Sequence, residues 1–246
     1  MQKAVAQKTG AQNHLGAIII PVAGMGLRMR SNCPKCLISL GRELLITRLV
    51  RQLRGRWPET PIFLCVGYDE VRIRQKTKAS LHFVRCPDFE STNVAESLRL
   101  ALAEAPSGPV LITMGDLIFS EESLASLSFA GEGVLWGETS LNRITEVGLT
   151  VTEQKRVGHL CHGLPIRWAQ LAYLSAAART HLSLLLEDSQ SASWFVYEAL
   201  NRLLQFIPLD FQPLNGWMVE LDSPKDAKLA RFAIQMEEEG FCAISD

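Results

Sequence analysis

The 246-residue chain is 47 % hydrophobic, 21 % charged and 7 % aromatic, ordinary globular usage that excludes intrinsic disorder and fibrous repeats. Its 25 Lys and Arg against 26 Asp and Glu leave a net charge of −1. There is therefore no global pull toward nucleic acid or an anionic membrane, and any phosphate must be held by a local site.

Residues 1–15 are small, polar and aperiodic and read as a flexible arm. Residues 1–16 carry no apolar segment of the kind that heads a secreted chain, and no apolar run reaches the roughly 18 residues of a membrane span. A cytoplasmic location with reduced thiols is expected. Ala17–Val22 is a short, continuous apolar run, the mark of a strand buried on both faces of a parallel sheet. A glycine-bearing loop follows, then a helix expected over Glu43–Trp57, stopped by Pro58. Ile62–Val66 and Leu81–Val84 read as strands. Asn93 is an N-cap with Glu96 three residues on, which predicts a capping box and a helix. Pro109–Met114 is a fourth strand.

Downstream, Gly133–Gly137 and Val147–Thr152 read as strands, with Arg156–Leu160 as a hairpin partner. Helices are expected at Ala176–Glu187 and Ser193–Gln205, and a late strand at Trp217–Leu221. Ser223, Pro224 and Asp226 form the opening of a last helix. The alternation predicts an α/β fold, a mostly parallel sheet with helices on both faces, in one domain over 16–246.

Six cysteines need an account. Cys33-Pro-Lys-Cys36 is a close pair, but a structural zinc needs a second one, and Cys161-His162 are adjacent, a poor chelate. Neither zinc nor a redox role is assigned.

The chemistry is concentrated at strand ends. The first strand runs directly into Ala23-Gly24-Met25-Gly26, with Arg28 and Lys35 after it. Glycines there let backbone N–H groups approach phosphate oxygens, and two cations beside them suit a triphosphate. Met29 stands where a dinucleotide fingerprint needs its third glycine, and Walker-A spacing is absent. Met114-Gly115-Asp116 ends the fourth strand with a carboxylate, where α/β sheets place ligands. Glu220 and Asp222, two apart at the end of the last strand, share a face. Asp116 with Asp222, and Glu220 near, offers oxygen ligands of the kind Mg²⁺ prefers.

These segments resemble a known family. AGMGLRM, then Pro34-Lys35, then GRELL resemble the opening motif of nucleotidyltransferases with a GT-A-like, Rossmann-like fold. These include sugar-phosphate nucleotidyltransferases and the phosphocholine and inositol-phosphate cytidylyltransferases. FLCVGYDE, CPDFESTNVAESLRLA, MGDLIFS and WMVELDSPKDAKLA continue the likeness in order, covering 17–117 and 217–230. The sequence departs from the family with Leu27 where Thr or Ser is usual, and with Val94 where a second Asn is frequent.

The resemblance implies that Ala23, Gly24, Met25, Gly26 and Arg28 cradle the triphosphate. It implies that Arg28 and Lys35 act on its phosphates during transfer, that Asn93 and Ser97 read the base, and that Asp116 and Asp222 hold Mg²⁺. The implied reaction moves a nucleoside monophosphate, CMP favoured, from the triphosphate to phosphocholine, a polyol phosphate or a sugar phosphate, releasing pyrophosphate. Insertions over about 134–210 would bind that acceptor, and Trp136 and Trp217, with Glu220, are candidate walls or supports. The partners are then CTP and a phosphorylated acceptor, on a monomer or homodimer. The alternatives are a non-catalytic nucleotide- or sugar-phosphate-binding module of the same fold and, more remotely, an NAD(P)-dependent oxidoreductase.

Overall fold

The computed structural model describes residues 14–26, 33–77, 80–139 and 144–240. Arg28 and nearly all of the expected arm lie outside the described residues.

In chain order the strands are β1 (Ala17–Pro21), β2 (Ile62–Val66), β3 (His82–Arg85), β4 (Val110–Thr113), β5 (Leu117–Phe119), β6 (Gly133–Glu138), β7 (Val147–Val151), β8 (Val157–His162), β9 (Ile166–Leu174), β10 (Asp210–Pro213) and β11 (Met218–Glu220). The helices are α1 (Leu45–Arg56), α2 (Glu70–Lys76), α3 (Val94–Glu104), α4 (Glu121–Ala125), α5 (Ala176–Leu185), α6 (Val196–Leu203) and α7 (Pro224–Glu238). The main sheet runs β10-β6-β9-β4-β1-β2-β3. β4, β1, β2 and β3 are mutually parallel, and β9 enters antiparallel between β4 and β6.

Strand alternation sorts the core. Ala17 and Ile19 face α3, α5 and α6, whereas Ile18 and Ile20 face α1 on the other side. Both faces of β1 are thus covered, which is why it reads as an unbroken apolar run. A third, smaller cluster seats α7 on β5 and β11 through Ile118, Val219, Ala230 and Ile234. None of the described helices is long and apolar enough to cross a membrane.

Several expectations change. α1 begins at Leu45, so Glu43 stands outside it. The Asn93 capping box does not form. The Asn93 side chain accepts from the Val94 N–H at 2.8 Å, its own N–H donates to the Ala192 carbonyl, and Glu96 forks onto Arg99 at 2.7 Å. The Ser223–Asp226 box does form, with the Ser223 N–H donating to Asp226 at 2.7 Å. The sequence pattern does not mark β9, β5, β10, α2 or α4. In β9 the polar Arg167 and Gln170 lie three residues apart and so fall on opposite faces, and the remaining positions are apolar on both. That hides the two-residue period. Cys36 is buried, and burial pushes its thiol up to about 12, far from the thiolate that metal binding or redox chemistry needs.

Candidate active site

The carboxyl ends of β1, β2 and β4 are tied together by backbone hydrogen bonds. Val22 donates to Cys65 at 2.9 Å, Tyr68 to Ala23 at 3.0 Å and Gly115 to Pro21 at 3.3 Å. Gly115 has to be glycine for this closure, since a Cβ there would lie 2.1 Å from the Val22 Cγ1. Gly26 has φ of +60°, and its bare Cα makes room for the Lys35 side chain, whose Cγ would be 2.9 Å from a Cβ.

Lys35 opens a single 3-10 turn, Lys35–Leu37, whose Cys36 and Leu37 are buried against α1. That anchor sends the Lys35 side chain toward the sheet edge. Its Nζ lies 2.7 Å from Asp222 Oδ1 and 3.3 Å from Asp116 Oδ2. The acids meet because β11 pairs antiparallel with β5, Glu220 opposite Leu117, and the Leu221 N–H donates to the Asp116 carbonyl at 2.9 Å. Asp226 then fixes the turn by accepting from the Asp222 N–H at 3.1 Å.

Side-chain exposures of 17 % for Lys35, 27 % for Asp116 and 40 % for Asp222 place this group at the wall of a cleft rather than in the core. Burial works against the Lys35 charge, but Asp116 and Asp222 outweigh it and hold the ammonium above its ordinary range. Burial raises the Asp116 pKa, and Lys35 recovers only part of that shift. Glu220 is raised as well, by burial first and then by the Asp116 charge, while a hydrogen bond from Gln170 opposes.

Asp116, Glu220 and Asp222 each present a carboxylate oxygen within 4.8 Å of the others. Three hard, anionic oxygens fit a small divalent cation such as Mg²⁺, and the Lys35 ammonium lies against two of the three carboxylates, Asp116 and Asp222. Behind Glu220, Arg167 pairs with Glu138 at 3.3 Å, Glu146 at 3.2 Å and Glu220 at 3.5 Å.

Two cavities meet at this group. The first, of about 250 Å³, is lined by Ala23, Gly24, Gly26, Lys35, Asn93, Ser97 and Asp116. The second, of about 550 Å³, is lined by Glu146, Trp168, Gln170, Tyr197, Glu220 and Asp222 among others. Val94 and Met114 line both. Met25 belongs to the glycine loop but lines neither cavity.

The candidate aromatic walls are elsewhere. Trp136 is 1 % exposed, in the core beneath β6, because its alternate position on that strand faces α1. Trp217 packs beside α7, and its carbonyl accepts from Ser120 and Ser123. Trp168, Phe195 and Tyr197 line the second cavity instead. No motif in the sequence marks them, since each becomes a wall only through the return of β9 and the start of α6.

Residues 18–196 match the MobA-like NTP transferase domain. The chain belongs to this family. Among relatives of the MobA-like chain, the bifunctional protein GlmU of Acaryochloris marina is 36 % identical over 103 residues, 41 % of this chain and 22 % of that one. The 2-C-methyl-D-erythritol 4-phosphate cytidylyltransferase of Saccharopolyspora erythraea is 34 % identical over 88 residues, 35 % of this chain and 39 % of that one. The matched segments thus span about a fifth of the GlmU proteins and well under half of the cytidylyltransferase. The CTP:phosphocholine cytidylyltransferase of Streptococcus pneumoniae has the same fold, with a TM-score of 0.73 at 17 % identity over 89 % of this chain and 98 % of that one. The expected Rossmann-like nucleotidyltransferase fold is thereby established for this MobA-like domain.

Proposed function

We propose that the chain is a divalent-metal-dependent nucleotidyltransferase. It transfers a nucleoside monophosphate, CMP by preference, from the triphosphate to a small phosphorylated acceptor, and it releases pyrophosphate. The observation that carries this reading is Lys35 bridging Asp116 and Asp222 where the two cavities meet.

The first cavity suits the triphosphate. The Ala23–Gly26 backbone offers N–H groups to phosphate oxygens, Arg28 adds charge from the same loop, and Asn93 and Ser97 lie at the base end. The second cavity suits the acceptor, phosphocholine, a polyol phosphate or a sugar phosphate, with residues from 145 to 197 forming much of its wall. An acceptor phosphate oxygen then attacks the α-phosphorus in line. The new P–O bond forms as the bond to the bridging oxygen of the β-phosphate breaks, and pyrophosphate leaves toward the glycine loop. No covalent nucleophile on the protein is required. Lys35, held protonated, faces the oxygens that gain charge. Asp116 and Asp222, with Glu220 beside them, would hold Mg²⁺, which supplies charge neutralisation to the phosphates when bound.

The CTP preference is supported by the resemblance of Cys86–Ala101 to cytidylyltransferase base-reading loops and by the nucleotide that two of the relatives use by name. The test is pyrophosphate release with Mg²⁺ across CTP, UTP, GTP and dTTP, each against a panel of phosphorylated acceptors. The reading expects turnover for at least one pair, greatest with CTP. Nucleotide binding by calorimetry without release from any pair contradicts it and favours a binding module.

A further inference from the structure

β9 is irregular at one place. Leu135 of β6 pairs with Ala172, and Gly137 pairs with Trp168, so Trp136 alone faces Ala169, Gln170 and Leu171. Gln170 has φ of 53° there. That is the left-handed region, which a residue with a Cβ enters only at a cost. The other described non-glycine residues with positive φ, Asp69 and Lys155, stand in the β2–α2 connection and the β7–β8 turn, where such angles are common. Gln170 is the one placed inside a strand of the main sheet.

The surroundings hold the distortion in place. The Trp168 indole N–H donates across it to the Leu171 carbonyl at 3.1 Å. Ala169 and Leu171, on either side, bury with Trp136 on the α1 face. Gln170 takes the opposite face and lines the cavity of about 550 Å³ together with Glu220, whose carboxylate its amide favours in the charged form. A glycine would meet the same φ without strain, so the backbone alone does not call for an amide here. Strain that the fold maintains, at a bulge that redirects one side chain into a cleft, is the pattern of a functional position.

We infer that Gln170 is a specificity-determining residue, and that the β9 bulge aims its amide into the acceptor cavity to hold Glu220 and to read a hydroxyl of the phosphorylated acceptor. This rests on the nucleotidyltransferase reading above. An amide carries two N–H donors and an acceptor oxygen. With one donor turned to the neighbouring Glu220, the groups that remain match a hydroxyl, which both gives and takes a hydrogen bond. A trimethylammonium group can do neither.

The experiment compares wild type with Gln170→Gly, which keeps the backbone angle and deletes the amide, and with Gln170→Asn, which retains an amide on a residue that tolerates that angle. Pyrophosphate release is measured with nucleotide and acceptor varied separately, alongside the thermal unfolding midpoint. Gln170→Gly is expected to unfold at or above the wild-type midpoint, to keep the wild-type KM for nucleotide, and to raise KM for a hydroxylated acceptor about tenfold, the loss of one hydrogen bond. Gln170→Asn is expected to recover part of that loss. An unchanged acceptor KM in Gln170→Gly overturns the inference. So does a rise in both KM values with a lowered midpoint, which marks a structural role, or a wild-type preference for phosphocholine that the substitution leaves intact. A wild-type chain that turns over no pair removes the nucleotidyltransferase reading itself, and this inference with it. That failure is seen in the wild type rather than in the variants.

Discussion

The Lys35 ammonium lies 2.7 Å from Asp222 Oδ1, although 187 positions separate them in the chain. The same nitrogen reaches Asp116, so one cation offsets two carboxylates. Removing it takes from both acids the ammonium they share. Lys35→Met is therefore expected to lower the unfolding free energy in metal-free buffer by about 1 kcal/mol, modest because Asp222 is partly exposed and screened. Mg²⁺ should restore stability to this variant more than it adds to wild type, because binding only the folded state stabilises it. Thermal melts of both proteins with and without Mg²⁺ check this, and an equal Mg²⁺ effect on the two goes against it.

Metal dependence follows from the three carboxylates. Chelation should abolish pyrophosphate release and Mg²⁺ should restore it. Asp222→Asn keeps the shape of the site but removes one anionic ligand, and is expected to weaken Mn²⁺ binding by at least about tenfold, in the range seen when a ligand environment is disturbed. Water-proton relaxation enhancement by bound Mn²⁺ reads this without turnover. Unaltered Mn²⁺ affinity in the variant removes Asp222 from the ligand set.

Trp136 and Tyr197 should behave in opposite ways. Trp136, fully enclosed, is expected to cost about 3–5 kcal/mol on substitution by Ala, with no change in acceptor KM in whatever fraction folds. Trp136→Phe is the milder variant that keeps the protein folded. Tyr197, which stacks on the half-exposed Phe195 at 5.8 Å at the cavity, should raise acceptor KM on substitution by Ala and shift stability by about 1 kcal/mol or less. Denaturant unfolding and steady-state kinetics on each variant separate the two, and the opposite assignment of effects would refute it.

Cys36 supplies a pH signature. Its thiol stands at about 12 in the fold against 9.0 as the reference value, so the folded state keeps the proton over a range where the unfolded chain gives it up. A raised folded pKa contributes stability that is complete below pH 9 and is lost as pH rises toward 12. By pH 10 the loss is about 1 kcal/mol. Between pH 7 and pH 10 wild type should lose more stability than Cys36→Ala, by about this amount, the buried Cys65 thiol contributing to the loss in both. Equal losses in both proteins point to other groups.

The fold was legible where local pattern and tertiary role coincide. β1, β2 and β4 are buried on both faces and announce themselves as apolar runs, and Ser223-Pro224 writes its own helix start. Gly24, Gly26, Lys35, Asp116 and Asp222 could be proposed from sequence because each sits at a strand end or next to a glycine loop, where open α/β sheets keep their chemistry. The acceptor side was not legible. Trp136 and Tyr173 look as suited to a cavity wall as Tyr197 does, and only strand register puts the first two in the core. Gln170 was invisible for a related reason, since nothing in Trp168-Ala169-Gln170-Leu171 specifies a bulge or a positive φ. The Asn93–Glu96 pair misled because a nearer charge, Arg99, takes the carboxylate.

The most direct measurement of the central claim is pyrophosphate release by the Lys35→Ala, Asp116→Ala double variant, on the nucleotide and acceptor pair that wild type turns over, with circular dichroism confirming that it folds. Loss of transition-state charge stabilisation at one such group costs about 10²–10³ in kcat, so the double variant should fall by at least that factor. Turnover at the wild-type rate by a folded double variant would contradict the account.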